Sequence, residues 1–312
     1  MNEKLPLVTI ITPVYNRADL VEETIKSVLG QDYPNIEYLI LDDGSTDNGW
    51  EVLEKYQDQA VLEKHANMGE TRTVNKGFSM AKGEIVGVIN SDDPLLPGAV
   101  RKIVQYFRSH HETIVVYPDW EKIDEKGRVF EKVRTPDYDY EYILKTFHCV
   151  PGPGTFFRKS VIDKLAGRDA RFKYVSDFDF WLRAGLIGPF ARLPEILATF
   201  RVHSGSASVN SLGGRMSQEH IDLAKKIYAL PDFPGSLKKF KNETYSSAYF
   251  LAWWMSGKRV SFKGIKYLLI SFFYHPERYF LLFENRAARL ARRVAKKYGL
   301  QPAESKRNNP VF

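Results

Sequence analysis

Short apolar runs alternate with amphipathic stretches through the first hundred residues, and two of these runs end in adjacent aspartates. Leu39-Ile40-Leu41 leads into Asp42-Asp43, and Ile85-Val86-Gly87-Val88-Ile89 leads through Asn90-Ser91 into Asp92-Asp93. The runs Leu7 to Val14, Ile36 to Leu41 and Glu84 to Asn90 fit strands buried on both faces. Between them, Asp19 to Leu29 carries Leu20, Val21, Ile25, Val28 and Leu29 at helical spacing. Asp47 to Tyr56, with Trp50 and Leu53 inward, and Thr71 to Ala81 also read as helices, and Ala60 to Glu63 as a short strand. This βαβα rhythm predicts an α/β fold with a mostly parallel central sheet flanked by helices. In such sheets ligands bind at the carboxyl ends of strands. Neighbouring carboxylates repel, so acidic pairs at two strand ends predict one site for a divalent cation and the polar groups of a nucleotide. Either pair alone would read as an Asp-rich turn.

Past Asp93 the pattern predicts a helix near Ala99 to Ser109, a strand at Ile114 to Tyr117 and a hairpin from Trp120 to Val133 around Gly127. A short strand at Thr155-Phe156-Phe157, helices at Ser160 to Leu165 and Phe178 to Leu186, and a late strand at Ile196 to Val202 follow. The tyrosine-rich stretch Tyr138 to Phe147 has no clear period. Composition shifts near Ser204-Gly205-Ser206 and helical patterns run on from there. The expected division is 1–210, in halves 1–93 and 94–210, followed by a helical extension, 211–312.

A hydrophobic content of 44% with 27% charged residues fits a globular chain with a sizeable core. The single cysteine, Cys149, excludes an intrachain disulfide and a cysteine metal cage, which suits a reducing cytosol. Its expected role is a small buried apolar residue. No signal-peptide pattern precedes the first run, and no stretch reaches the roughly 18 apolar residues of a membrane span. The expected location is cytoplasmic. The net charge of +7 is uneven: residues 256–312 hold 13 Lys/Arg against 3 Asp/Glu, or +10, leaving −3 for the rest. Within that tail, Glu284 to Tyr298 sets Ala287, Leu290, Ala291, Val294 and Tyr298 on one stripe. Arg286, Arg289, Arg293, Lys296 and Lys297 lie mostly on another. Such a helix either lies on the inner face of an anionic membrane or packs with a solvated charged face. No nucleic-acid motif accompanies the charge, so no nucleic acid partner is expected.

Several segments, in order and at matching spacing, resemble the family 2 glycosyltransferases. They are Thr12-Pro13-Val14-Tyr15-Asn16-Arg17, Asp42-Asp43-Gly44-Ser45-Thr46-Asp47, Asn67-Met68-Gly69, Asn75-Lys76-Gly77, Ala81-Lys82-Gly83-Glu84 and Asn90-Ser91-Asp92-Asp93. Asp177-Phe178-Asp179-Phe180-Trp181-Leu182-Arg183 and Phe200-Arg201-Val202-His203 are similar to its second half. The resemblance spans about Leu7 to Ser208 and implies a GT-A fold. It implies transfer of a sugar from a nucleotide diphosphate, UDP- or dTDP-linked, with inversion at the anomeric carbon. It also implies a glycan or lipid-linked saccharide acceptor, and hence peripheral membrane contact. The nearest alternatives are a polyprenyl-phosphate sugar transferase and an inactive nucleotide-sugar-binding module. A nucleotidyltransferase would need a Gly-rich loop after the first strand, and Pro13 to Arg17 has no glycine.

On this resemblance Pro13 and Tyr15 wall the nucleotide pocket, with Tyr15 either stacked on the base or packed beneath it. Asp43 accepts from the base N3–H and Asp42 holds the turn. Asn67 and Arg72 reach toward the nucleotide or diphosphate. Asp92 takes a ribose hydroxyl, Asp93 binds Mg2+ or Mn2+, and His203 contacts the metal or diphosphate. Asp177 is the expected base, with Asp179 as fallback; Ser176 stands where the family more often has Glu. Arg201 pairs with phosphate or with a nearby carboxylate. Trp181 stacks on a sugar or belongs to the core.

Overall fold

The structure, a computed structural model, describes residues 5–205, 214–256 and 261–279. Its eight strands are β1 (Val8–Val14), β2 (Ile36–Asp42), β3 (Val61–Lys64), β4 (Ile85–Val88), β5 (Val115–Ile123), β6 (Val129–Val133), β7 (Phe156–Arg158) and β8 (Phe190–Arg201). They form one sheet of order β3-β2-β1-β4-β7-β5-β6, with β8 paired to β5. Neighbours among β1 to β4 are parallel. Strand β7 is antiparallel to both β4 and β5, and β6 is antiparallel to β5. The sheet is thus parallel in its first half and mixed in its second.

Alternation along each strand feeds two layers. Val8, Ile10 and Val14 of β1, with Tyr38 and Ile40 of β2, join one buried cluster. Covering it are α1 (Val21–Leu29), α2 (Gly49–Glu54) and α4 (Ala99–Ser109), through Val21, Ile25, Leu53, Ile103 and Phe107. Ile11, Leu39 and Leu41 face the opposite cluster. That side is covered by α3 (Glu70–Met80), α5 (Tyr140–Thr146), α6 (Ser160–Leu165) and α7 (Ser176–Ala184).

The C-terminal helices extend the same core. Helices α8 (Gly214–Tyr228) and α9 (Lys241–Met255) add Leu223, Ala224, Ile227 and Ala248 to the second cluster. A final helix, α10 (Phe262–Tyr274), packs on α9 through Tyr267 and Ser271, whose hydroxyl donates to the Ser246 carbonyl at 2.6 Å. The expected boundary near residue 211 falls outside the described residues. The regions on its two sides share one buried cluster. The basic stretch 284–298 also lies outside the described residues.

Three elements differ from expectation. The strand expected at Ile114 to Tyr117 runs on through Pro118 and Asp119 as β5 into the hairpin. Tyr138 to Phe147 contains α5, capped by Asp139, whose carboxylate accepts from Tyr142 N at 3.1 Å. The tyrosines around it serve the core: Tyr140 donates to Leu182 O at 3.0 Å, and Tyr138 stacks on Phe190 at 4.2 Å. Strand β8 starts at Phe190, not Ile196, because Arg192 is neutralised there by Asp119 at 2.7 Å and a polar start becomes compatible with the sheet.

Candidate active site

Strand β1 lies between β2 and β4, so the chain leaves it first to one side and then to the other. Such switch points leave a crevice at the strand ends. Here the crevice is a cavity of about 560 Å³, and Asp43, Asp92, Asp93 and Asp177 all line it. Pro13, Tyr15, Asn67 and Arg201 also lie on its wall. Tyr15 is 47% exposed and presents its ring at the rim. The loop after β1 turns at Asn16, whose φ is 50°, a conformation that Asn tolerates. It is tied to the loop after β2, since Asn16 N donates to Ser45 Oγ at 3.0 Å and Thr46 N to Asn16 Oδ1 at 2.8 Å.

At the end of β2 the two aspartates diverge. Asp42 is fully buried and accepts from Ser45 N at 2.8 Å, which holds the turn. Asp43 accepts from Met68 N at 2.7 Å and from Gly69 N at 2.9 Å. Asn67 Nδ2 donates to the Asp43 carbonyl at 3.0 Å. Gly44 has φ +71°, and a Cβ there would stand 2.7 Å from Asn67 N, so only glycine lets this loop close over the carboxylate. Two backbone donors leave lone pairs of Asp43 for a ligand.

The second pair is held from both sides. Asp93 accepts from Arg201 N at 2.8 Å and Asn90 Nδ2 at 3.0 Å. Burial, and then the charge of Asp92, push its carboxyl from 3.8 up to about 7. Arg201 is only 2% exposed and is a strut: Nε donates to Asp92 O at 3.1 Å and Nη2 to Glu23 at 2.5 Å. Asp92 meets His203 Nε2 at 2.9 Å and Arg17 Nε at 3.5 Å. Gly205 N donates to His203 Nδ1 at 3.1 Å, so the ring proton sits on Nε2 and points at Asp92. In this tautomer His203 is engaged with the acid pair.

These residues fit a hard divalent cation. Asp92 and Asp93 offer oxygen donors, and a bound cation would offset the burial and the Asp92 charge that disfavour an ionised Asp93. Among the described residues no three His, Cys, Asp or Glu side chains are grouped into a cage. Phosphate oxygens and water would have to complete the coordination, as is usual for Mg2+.

Asp177 stands in the first turn of α7, where the helix dipole favours a carboxylate, and accepts from Phe178 N at 2.7 Å. The turn is fixed to α3 by Thr71 Oγ1 and Ser176 Oγ, 3.0 Å apart. The fallback, Asp179, does not reach the cavity. It is fully buried, bonded to Arg183 Nε at 2.9 Å and paired with Lys226 of α8. Trp181 is also elsewhere, 8% exposed, with its ring 5.5 Å from Phe157 and 5.1 Å from Phe180. Arg72 points outward and donates to Met68 O at 3.3 Å. Residues the sequence reading missed are Arg17, Glu70, Arg168, Lys173 and Met216, all on the cavity wall. Only Arg17 fell within a recognisable motif. Arg168 and Lys173 lie in an aperiodic loop, and Met216 arrives from α8.

The family described as glycosyl transferase family 2 matches residues 9–166, half of the chain, including β1, β2 and β4 and the loops that end in the acidic pairs. The chain belongs to this family. It is a glycosyltransferase that acts on nucleotide sugars. A similar protein from Escherichia coli is WfaP, named as a UDP-Glc:alpha-D-GlcNAc-diphosphoundecaprenol beta-1,3-glucosyltransferase. It is 28% identical over 224 residues, covering 70% of this chain and 86% of WfaP. Among solved structures, S. aureus TarS in complex with UDP-GlcNAc superposes with a TM-score of 0.68 at 20% identity, covering 87% of this chain and 82% of that one. The mannosyltransferase PcManGT from Pyrobaculum calidifontis, in complex with GDP-Man and Mn2+, gives 0.62 at 17% identity, covering 92% and 81%. These likenesses confirm the GT-A fold of the glycosyltransferase.

Proposed function

We propose that the glycosyltransferase moves a sugar with inversion from a UDP- or dTDP-sugar to a hydroxyl of a lipid-linked glycan precursor, with Asp177 as the base. The observation that carries this reading is the convergence of Asp43, Asp92, Asp93 and Asp177 on one cavity. Tyr15 offers a face to the pyrimidine and Asp43 accepts its N3–H. Pro13 and Asn67 shape the same wall, and Asp92 accepts a ribose hydroxyl. Asp177 takes the proton of the acceptor hydroxyl as its oxygen bonds to the anomeric carbon. The bond from that carbon to the diphosphate oxygen breaks on the opposite face, and the electron pair leaves with the nucleoside diphosphate. A divalent cation, Mn2+ or Mg2+, held by Asp93 and its neighbour Asp92, supplies positive charge against the departing diphosphate.

WfaP is named for a diphosphoundecaprenol acceptor, which supports the lipid-linked class. No helix among the described residues is long and apolar enough to cross a membrane. The surface proposed to meet the bilayer is one face of α10, where Phe262, Leu269 and Phe273 are 89%, 63% and 81% exposed. Ile265 and Phe272 continue that face, and Lys263 and Lys266 stand exposed beside it. Apolar side chains flanked by lysines suit an anionic interface. The test of the reaction is a panel of nucleotide sugars assayed for hydrolysis with Mn2+. Turnover of a UDP- or dTDP-sugar that Asp177→Asn suppresses is expected. Turnover of neither, or turnover that survives Asp177→Asn, contradicts the proposal.

A further inference from the structure

Most buried arginines among the described residues spend their guanidinium on several hydrogen bonds, and even Arg278, whose Nε has no partner, donates through Nη1 to Ser247 Oγ at 2.7 Å. Arg158 donates to Thr113 O, Phe107 O and His110 O. Arg183 donates to Asp179, Leu165 O and Gly167 O, and Arg192 to both carboxylate oxygens of Asp119. The Arg168 side chain is only 8% exposed, yet among the described residues it makes no hydrogen bond, and its buried Nε has no partner. Its one ionic neighbour is Glu70, 3.7 Å away, whose own side chain is 55% exposed. Removing a guanidinium from water without donors satisfied is costly, and a planar fork of N–H groups matches phosphate.

The arginine is held in place by its backbone, so its guanidinium is not needed to anchor the loop. Asn75 of α3 clasps it twice, accepting from Arg168 N and donating to Arg168 O, each at 2.8 Å. Gly167, at φ +84°, permits the clasp, since a Cβ would meet Asn75 Oδ1 at 2.6 Å. Lys173, five residues on, also lines the cavity, and among the described residues its ammonium makes no hydrogen bond and lies 5.4 Å from the centroid of the Tyr174 ring. Both cations come from the segment between α6 and α7, the same side that supplies Asp177. Arg168 and Asp177 act together on Cys149, whose thiol is pushed up by burial and by Asp177 and held down by Arg168. On the transfer reading above, the acidic pairs after β2 and β4 serve the donor, and Arg168, Lys173 and Asp177 share the remaining wall of the cavity.

We propose that Arg168, assisted by Lys173, recognises a phosphate carried by the acceptor. This rests on the transfer reaction proposed above and names the chemistry that the acceptor must bring. WfaP, a relative named for a diphosphate-linked acceptor, has an acceptor of that chemistry.

The test is calorimetric titration of inorganic pyrophosphate into the full chain saturated with UDP, so that donor-side phosphate contacts are already filled. The wild type binds one pyrophosphate. Arg168→Gln weakens this about tenfold or more, Arg168→Lys recovers part of it, and Lys173→Gln weakens it about threefold. Affinity for UDP changes by less than about twofold in each variant, which also shows that each is folded. Glucose 1-phosphate displaces the pyrophosphate and methyl glucoside does not. No pyrophosphate binding to the UDP-saturated wild type overturns the proposal. So does an equal loss of UDP affinity in Arg168→Gln, which would put the arginine on the donor diphosphate. Equal displacement by the neutral glucoside also overturns it. Should the wild type bind neither UDP nor dTDP, the transfer reading fails separately, and titration of the ligand-free chain still shows whether pyrophosphate depends on Arg168.

Discussion

The cavity wall proposed to hold the donor (the donor wall) and the wall proposed to meet the acceptor (the acceptor wall) are built to different standards of saturation. On the donor wall each carboxylate is locked before any ligand arrives: Asp43 by two backbone donors, Asp93 by Arg201 N and Asn90. On the acceptor wall Asp177 has one local bond, to Phe178 N, and the Arg168 and Lys173 side chains have no hydrogen bond among the described residues. The donor side is preorganised for a ligand of fixed shape. The acceptor side holds its reactive groups on rigid backbone and leaves their bonding capacity unspent. Locked groups are expected to control stability and nucleotide affinity, and unspent groups to control rate and acceptor choice.

The largest expected separation is at Asp177. Asp177→Asn lowers turnover about 10³-fold while UDP affinity stays within about twofold, because the amide cannot accept the acceptor proton. Rapid-quench transfer assays beside calorimetry check both halves. Next come the two arginines. Arg201→Met costs about 3 kcal/mol in urea unfolding, since it removes a buried guanidinium and leaves the Asp92 and Asp124 carbonyls without that donor. Arg168→Met costs less than about 1 kcal/mol or stabilises, because only a long ion pair with the half-exposed Glu70 is lost and a desolvated charge is removed. Equal losses would erase the contrast between the walls.

Asp43→Ala is expected to weaken UDP binding about tenfold with little effect on turnover at saturation, since the lost acceptor serves donor binding. A pH effect follows at Asp93. A carboxyl whose folded pKa exceeds its unfolded value is favoured protonated, so its contribution is intact below about 3.8 and is lost as pH rises to about 7. Ligand-free Asp93→Asn should therefore be more stable than wild type at pH 8, and the advantage should vanish at pH 4. Thermal melts at the two pH values read this directly. The smallest effect is at α10, where Leu269→Glu with Phe273→Glu should reduce co-sedimentation with anionic vesicles about threefold and leave UDP binding unchanged.

Much of the donor wall was legible in the sequence, for a physical reason. Strands buried on both faces are continuous apolar runs, so β1, β2 and β4 and the acids that end them stand out. The acceptor wall is assembled from long-range partners that spacing does not display. Asp179 and Asp177 look interchangeable by position, but Lys226, from a helix late in the chain, neutralises Asp179 inside the core. Trp181 could have served a sugar or the core, and the rings of Phe157, Phe180 and Phe190 decide for the core. Arg168 carries no periodic signal; only the two-point clasp by Asn75 sets it on the wall. The start of strand β8 is hidden in the sequence because Arg192 and Glu195 break the apolar pattern, and the partner of Arg192 lies on β5.

That one cavity joins a nucleotide site to a cation-holding acid pair is tested most directly by titrating UDP into the protein with and without Mn2+. UDP should bind one per chain, about tenfold tighter with Mn2+, and Asp93→Asn should abolish the Mn2+ effect while retaining metal-free binding. A wild type indifferent to Mn2+, or an Asp93→Asn variant that keeps the full enhancement, would contradict it.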